Sequence, residues 1–172
     1  MTYIALSVAI LAVCSWISIP LIVPVTLQTM AVFAVSGILG TKRALLALTV
    51  YMLLGAVGVP VFAGFSGGIG VLTGPTGGYL FGFFFIALSV GWTTERFGFS
   101  PIILMISMSL GLLLCYTFGT LWFQYVYTQN SGPIGLWSVL GWCVFPFIIP
   151  DLVKMFVAVV IVLRVRLQLK ID

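Results

Sequence analysis

Charge is the scarcest thing in this chain. Only 6% of its 172 residues are charged, seven Lys or Arg and three Asp or Glu, and there is no histidine. A soluble domain is about one quarter charged, so this composition leaves too little polar surface to coat a water-soluble globule. The missing histidine, with a single carboxylate away from the basic segments and the chain end, leaves few nucleophile or acid–base sets. An intramembrane enzyme is therefore disfavoured. No Lys-Ser or Lys-Thr follows a glycine run, so the chain carries no nucleotide P-loop and no visible means of hydrolysing ATP itself. The three cysteines, Cys14, Cys115 and Cys143, lack metal-ligand spacing and an even-numbered disulfide framework. They read as small apolar packing residues, and neither metal nor cofactor is expected. Seven scattered cations cannot track phosphates, which excludes nucleic acid as a partner despite a pI near 9.2.

What is present is apolar. Hydrophobic residues make up 62% of the chain, and the mean hydropathy is +1.31. This is the composition of an all-α integral membrane protein in one membrane domain spanning residues 1–172. No charged side chain precedes Lys42, and residues 44–94 and 97–150 are uncharged. Each uncharged stretch holds two spans and a connection at about 20 residues per span. Six transmembrane helices are expected, at about 3–22, 28–40, 43–58, 77–94, 101–126 and 150–167. The first apolar run, from Tyr3 to Val23, is read as a span rather than a cleavable signal, since no basic start precedes it. The second span is too short for the hydrocarbon core and needs shielding by neighbouring protein. Residues 134–146 are expected as a short surface or re-entrant helix, with Pro146 and Pro150 separating them from the last span.

Six of the seven cations lie in Lys42-Arg43, Arg96 and the tail Arg164, Arg166 and Lys170. The connections near 23–27, 59–76 and 127–149 have none. Basic segments stay on the cytoplasmic side, so both termini are expected inside and the three uncharged connections outside.

Three features point to a ligand. Residues 64–78 contain seven glycines in fifteen positions and lead into a helix with Thr76 as a candidate N-cap. Glycine lets backbone approach a small molecule, and a helix N-terminus offers free N–H groups. Asp151 and Lys154 are spaced i, i+3 on one helix face, with Pro150 expected at the first helical position and Asp151 in the first turn. A lone lysine in the bilayer costs about 2.5–3.5 kcal/mol, which makes the pair a functional candidate. Thr26 and Gln28 alternate with apolar neighbours in the first outward connection and can face one side of an extended segment. Small residues recur every fourth position at Ala5 and Ala9, at Gly74, Gly78 and Gly82, and at Gly111, Cys115 and Gly119, faces on which membrane helices pack closely.

The runs P-V-T-L-Q (24–28), G-x-x-G-T-K-R (37–43), GVPVFAGFSGGIGVLTGPTGGYLFGF (58–83) and D-L-V-K (151–154) resemble the bacterial BioY family, the biotin transporters and substrate-binding subunits of energy-coupling-factor transporters. Where the family has Pro-Gly-Asp before the last helix, this chain has Ile149-Pro150-Asp151. The resemblance implies a bundle of six transmembrane helices in the bacterial inner membrane. A glycine-rich outward loop would lie between helices 3 and 4, with a biotin site under the outer face. It implies Asp151 and Lys154 as polar ligand contacts, with Thr26, Gln28 and Gly68 beside them. Phe62, Phe65 and Tyr79 would form apolar walls. It also implies Ala5 and Ala9 as contacts for a transmembrane coupling subunit that works with two cytosolic ATPases. The alternative is a stand-alone transporter of biotin or of another small amphiphilic carboxylate.

Overall fold

The computed structural model describes residues 1–169; the expected basic residue Lys170 lies outside the described residues. Helix α1 runs Thr2–Trp16, ending well before the expected residue 22. Pro20 pushes Ile19 toward extended backbone, and the β-branched run around it favours the same region. Ser18–Ile19 (β1) therefore pairs antiparallel with Val25–Thr26 (β2) in a two-stranded ladder. This returns the chain over the end of α1.

Helix α2 spans Gln28–Ala56 but breaks at Gly40, whose φ of 75° only glycine adopts readily. The break reverses the chain. Gln28 Nε2 donates to the Tyr51 hydroxyl at 2.7 Å, whereas a straight helix would hold those residues about 35 Å apart. Residues 28–39 and 41–56 are therefore two short antiparallel arms. The segment that follows is not an open loop. It holds a 3-10 turn at Ala63–Phe65 and a five-residue helix α3 at Ile69–Thr73. Its carbonyls tie it down: Val61 accepts from Ser15 and Tyr51, and Pro60 accepts from Trp16 Nε1.

Helices α4 (Gly77–Phe97) and α5 (Pro101–Ser131) form a hairpin. Gly98 ends α4 at a φ of 86°. Pro101 starts α5 behind Ser100, whose hydroxyl accepts from the Ile103 N–H. The two small-residue faces meet here. A Cβ on Gly82 would lie 2.6 Å from Cys115 Sγ, and one on Gly119 would enter the Tyr79 ring. Gly74 lies outside α4, as the residue after α3, and its carbonyl accepts from Trp122 Nε1 of α5 at 3.0 Å.

Helix α6 covers Leu136–Cys143, and α7 covers Phe145–Leu169. The break falls at Val144, not at the prolines. Pro146 sits in the first turn of α7, where its missing N–H costs nothing, and Pro150 is inside the helix. Asp151 is thus nearly two turns in, a correction to its expected place in the first turn. By length and composition alone, four stretches among the described residues suffice to cross a membrane, Gln28–Ala56, Gly77–Phe97, Pro101–Ser131 and Leu136–Gln168; the first of them is the pair of arms joined at Gly40, and the last includes the break at Val144.

The bundle has two chemically distinct ends. At one end Thr41 N–H donates to Glu95 Oε1, and Arg166 reaches the Gly37 and Ile38 carbonyls. At the other end stand Gln28, Tyr79 and Asp151, about 20 Å away along their helices.

Candidate functional site

The polar centre of the second end is Asp151. Its side chain is 1% exposed, and Lys154 beside it is 8% exposed. Lys154 Nζ donates to Asp151 Oδ1 at 2.7 Å. The Thr29 hydroxyl donates to the same oxygen at 2.9 Å and accepts from Lys154 Nζ at 3.2 Å. Tyr116 donates to Oδ2 at 2.6 Å. Three elements converge to build this cluster: α7 supplies the ion pair, the first arm of α2 supplies Thr29, and α5 supplies Tyr116. A charge buried at this depth is tolerated because it is both paired and hydrogen-bonded.

The cluster lines a cavity with ≈ 770 Å³ of space free of protein atoms, its mouth included. Around the polar cluster the walls are apolar, among them Val23, Phe62, Val71, Leu80, Phe83 and Phe147. Phe62 is held by edge contact with Tyr51, and its ring fills the space that a side chain on Gly55 would take. Tyr79 presents its ring, because its hydroxyl is bonded to Thr120 Oγ1 at 3.1 Å.

Of the residues singled out in the sequence, Thr26, Gln28, Phe62, Tyr79, Asp151 and Lys154 line this one cavity. Thr26 Oγ1 accepts the Gln28 N–H and so starts the first arm of α2. Two expected members stand elsewhere. Phe65 is 64% exposed and stacks on Trp16 with ring centroids 5.0 Å apart. Its φ of 56° turns the side chain outward. Gly68 makes the turn into α3 at a φ of 99°, donating its N–H to the Gly55 carbonyl at 2.7 Å. Thr76 holds the residue position before α4, but its hydroxyl caps no backbone N–H and lines the cavity instead. Ala5 and Ala9 lie on the exposed side of α1, opposite the face that buries Val8, Leu11 and Ser15.

Thr29, Tyr116, Phe83, Phe147, Cys115 and Cys143 also line the cavity without having been picked out as ligand contacts. Tyr116 alone offered a signal, a phenol in an otherwise leucine-rich stretch of helix, where a polar group needs a partner. The two charges of the cavity neutralise each other, and its remaining side-chain polar groups are hydroxyls, thiols and the Gln28 amide.

The sequence matches the BioY family over residues 1–171. It is 41% identical over 159 residues to a biotin transporter BioY of Thermotoga maritima, covering 92% of this chain and 90% of that one. It is 40% identical over 155 residues to the biotin transporter BioY2 of Lactococcus lactis, covering 90% and 82%. A solved S-component for biotin from an ECF-type ABC transporter matches the fold with a TM-score of 0.85. That match covers 96% of this chain and 89% of the other at 27% identity.

Proposed function

The chain belongs to the BioY family, and from that premise we propose that it takes up biotin across the bilayer, holding the vitamin in the cavity above Asp151 and Lys154. It is a transport component and not an enzyme; biotin is its cargo and it needs no cofactor. The observation that carries the binding site is the buried Asp151–Lys154 pair lining an apolar cavity, with one donor and one acceptor position to spare.

That spare pair decides how the ligand lies. A carboxylate offers about four lone-pair sites, and three on Asp151 are taken by Lys154, Thr29 and Tyr116. An ammonium offers three N–H groups, and two on Lys154 are taken by Asp151 and Thr29. One acceptor site remains on Asp151 Oδ2 and one N–H on Lys154. A ureido group presents the complement, an N–H beside a carbonyl oxygen. The carboxylate tail of biotin would instead bring a second anion against Asp151, where the low dielectric strengthens repulsion. The bicyclic head therefore sits on the ion pair between Phe62, Tyr79 and Phe83, and the tail points to the mouth past Thr26 and Gln28.

Counting the two arms of α2 separately, α1, α4, α5 and α7 complete six membrane helices. The basic end faces the cytoplasm with both termini, and the cavity opens outward beneath the glycine-rich segment. Delivery inward is the task of an ATP-driven assembly of energy-coupling-factor type, a transmembrane coupling subunit with two cytosolic ATPases. Ala5 and Ala9 on the exposed face of α1 suit close approach by that subunit. Thermal melting of the purified protein tests the reading. Biotin at about 100 times its dissociation constant should stabilise the fold by about 2.7 kcal/mol. A melting curve that biotin leaves unmoved at any soluble concentration would remove biotin as the ligand.

A further inference from the structure

The reversal at Gly40 leaves the end of one helix and the start of the next at the basic end of the bundle. Carbonyls at a helix end and N–H groups at a helix start lack intrahelical partners. Two side chains from other helices take them up. Arg166 of α7 donates Nε to the Gly37 carbonyl and Nη2 to the Ile38 carbonyl, both at 3.1 Å, while its guanidinium lies 3.3 Å over the Phe99 ring. Glu95 of α4 accepts the Thr41 N–H at 2.7 Å. The cation meets the negative end of the first arm and the anion meets the positive end of the second.

The same two helices, α7 and the first arm, are also joined at the cavity. Thr29 bonds Asp151 and Lys154 there. Gly37 then packs on Val162 so closely that a Cβ would sit 2.7 Å from its Cγ2. Eight residues separate Thr29 from Gly37 and eight separate Lys154 from Val162, about 12 Å in each helix. The helices run parallel and in register, tied at both ends.

We infer that Arg166, with Glu95, is a positioning residue for the ligand site: its fork on the Gly37 and Ile38 carbonyls fixes the axial register that holds Thr29 against Asp151 and Lys154. This rests on the reading of the cavity as the biotin site. The register then couples the basic end of the bundle to the cavity.

The test is a double-mutant cycle on biotin affinity in the purified full-length chain, with Arg166→Gln, Thr29→Val and the pair. Arg166→Gln should weaken biotin about fivefold or more, in the range of coupling between linked sites. Arg166→Lys, which keeps the charge but lacks the rigid planar fork and the stacking on Phe99, should fall between. The exposed Arg164→Gln should change affinity less than about twofold. In the Thr29→Val background, Arg166→Gln should add less than about twofold, since the contact it positions is already gone. Fully additive losses, or an Arg166→Gln protein that binds as wild type, would overturn the inference. If Arg166→Gln does not fold, Gly37→Ala asks the same question. It should weaken biotin, with Val162→Ala restoring it; a folded Gly37→Ala protein of unchanged affinity also overturns the inference. Failure of the wild type to bind biotin strikes the parent reading instead.

Discussion

Replacing Lys154 by Met separates the two roles of the ion pair. In the wild type the Asp151 carboxylate, 1% exposed, receives Lys154 at 2.7 Å, Thr29 at 2.9 Å and Tyr116 at 2.6 Å. Lys154→Met leaves two hydroxyl donors but no countercharge. Removing one partner of a buried pair costs about 3–5 kcal/mol, because the other charge stays buried alone. For a chain of this length 1 kcal/mol shifts Tm by about 2–4 °C. The expected drop is therefore about 6–20 °C in a detergent melt. Adding Asp151→Asn removes the stranded charge while the amide oxygen still accepts from Thr29 or Tyr116. The double variant should recover most of that loss. It should nevertheless gain nothing from biotin, whereas the wild type gains about 2.7 kcal/mol at 100 times its dissociation constant, or about 5–11 °C. Stability returns and binding does not. A Lys154→Met protein that melts with the wild type and is still protected by biotin would refute both the burial argument and the ligand contact.

Three further outcomes follow from the same geometry. The amide of biotin, with its tail charge removed, should bind within about tenfold of biotin, whereas 2-iminobiotin, whose ureido oxygen is replaced by a protonated imine, should bind far more weakly because a cation meets Lys154; competition against labelled biotin reads both, and the reverse ranking would place the tail on the pair. Phe62→Ala should destabilise the fold by about 3–5 kcal/mol and weaken biotin, while Phe65→Ala, whose ring is 64% exposed on Trp16, should leave affinity within about twofold; equal losses in equilibrium binding would return Phe65 to the cavity. Tyr116→Phe removes one hydrogen bond to a charged group, worth about 1.5–3 kcal/mol, and should lower Tm without abolishing biotin protection; a melt identical to wild type would show that the phenol does not hold Asp151.

The legible part of this molecule was the part written in charge. Asp151 and Lys154 stood out because burying an ion in a membrane demands a reason, and Gly40 lay beside the first basic pair, so the reversal of α2 could be anticipated from Lys42 and Arg43 alone. Polar residues without charge carried no such signal. Thr29 and Tyr116 sit in helices apolar on nearly every face, where no periodicity distinguishes the cavity side from the lipid side. Their partner Asp151 lies on another helix more than 30 residues away, so the phenol of Tyr116 signalled that it needs a partner without saying which, and Thr29 signalled nothing until the helices packed. Helix ends near proline misled for a related reason. Proline removes a donor, but it costs nothing in a first turn, so Pro146 could begin α7 and the break moved to Val144. Phe65 shows the remaining limit. Its neighbours Phe62 and Ser66 are drawn together by the Phe62 N–H to Ser66 carbonyl bond at 3.0 Å, and the tight turn between them throws one aromatic ring inward and the other out. A composition rich in glycine and phenylalanine announces a close-packed wall, but the backbone angles of three residues decide which ring belongs to it.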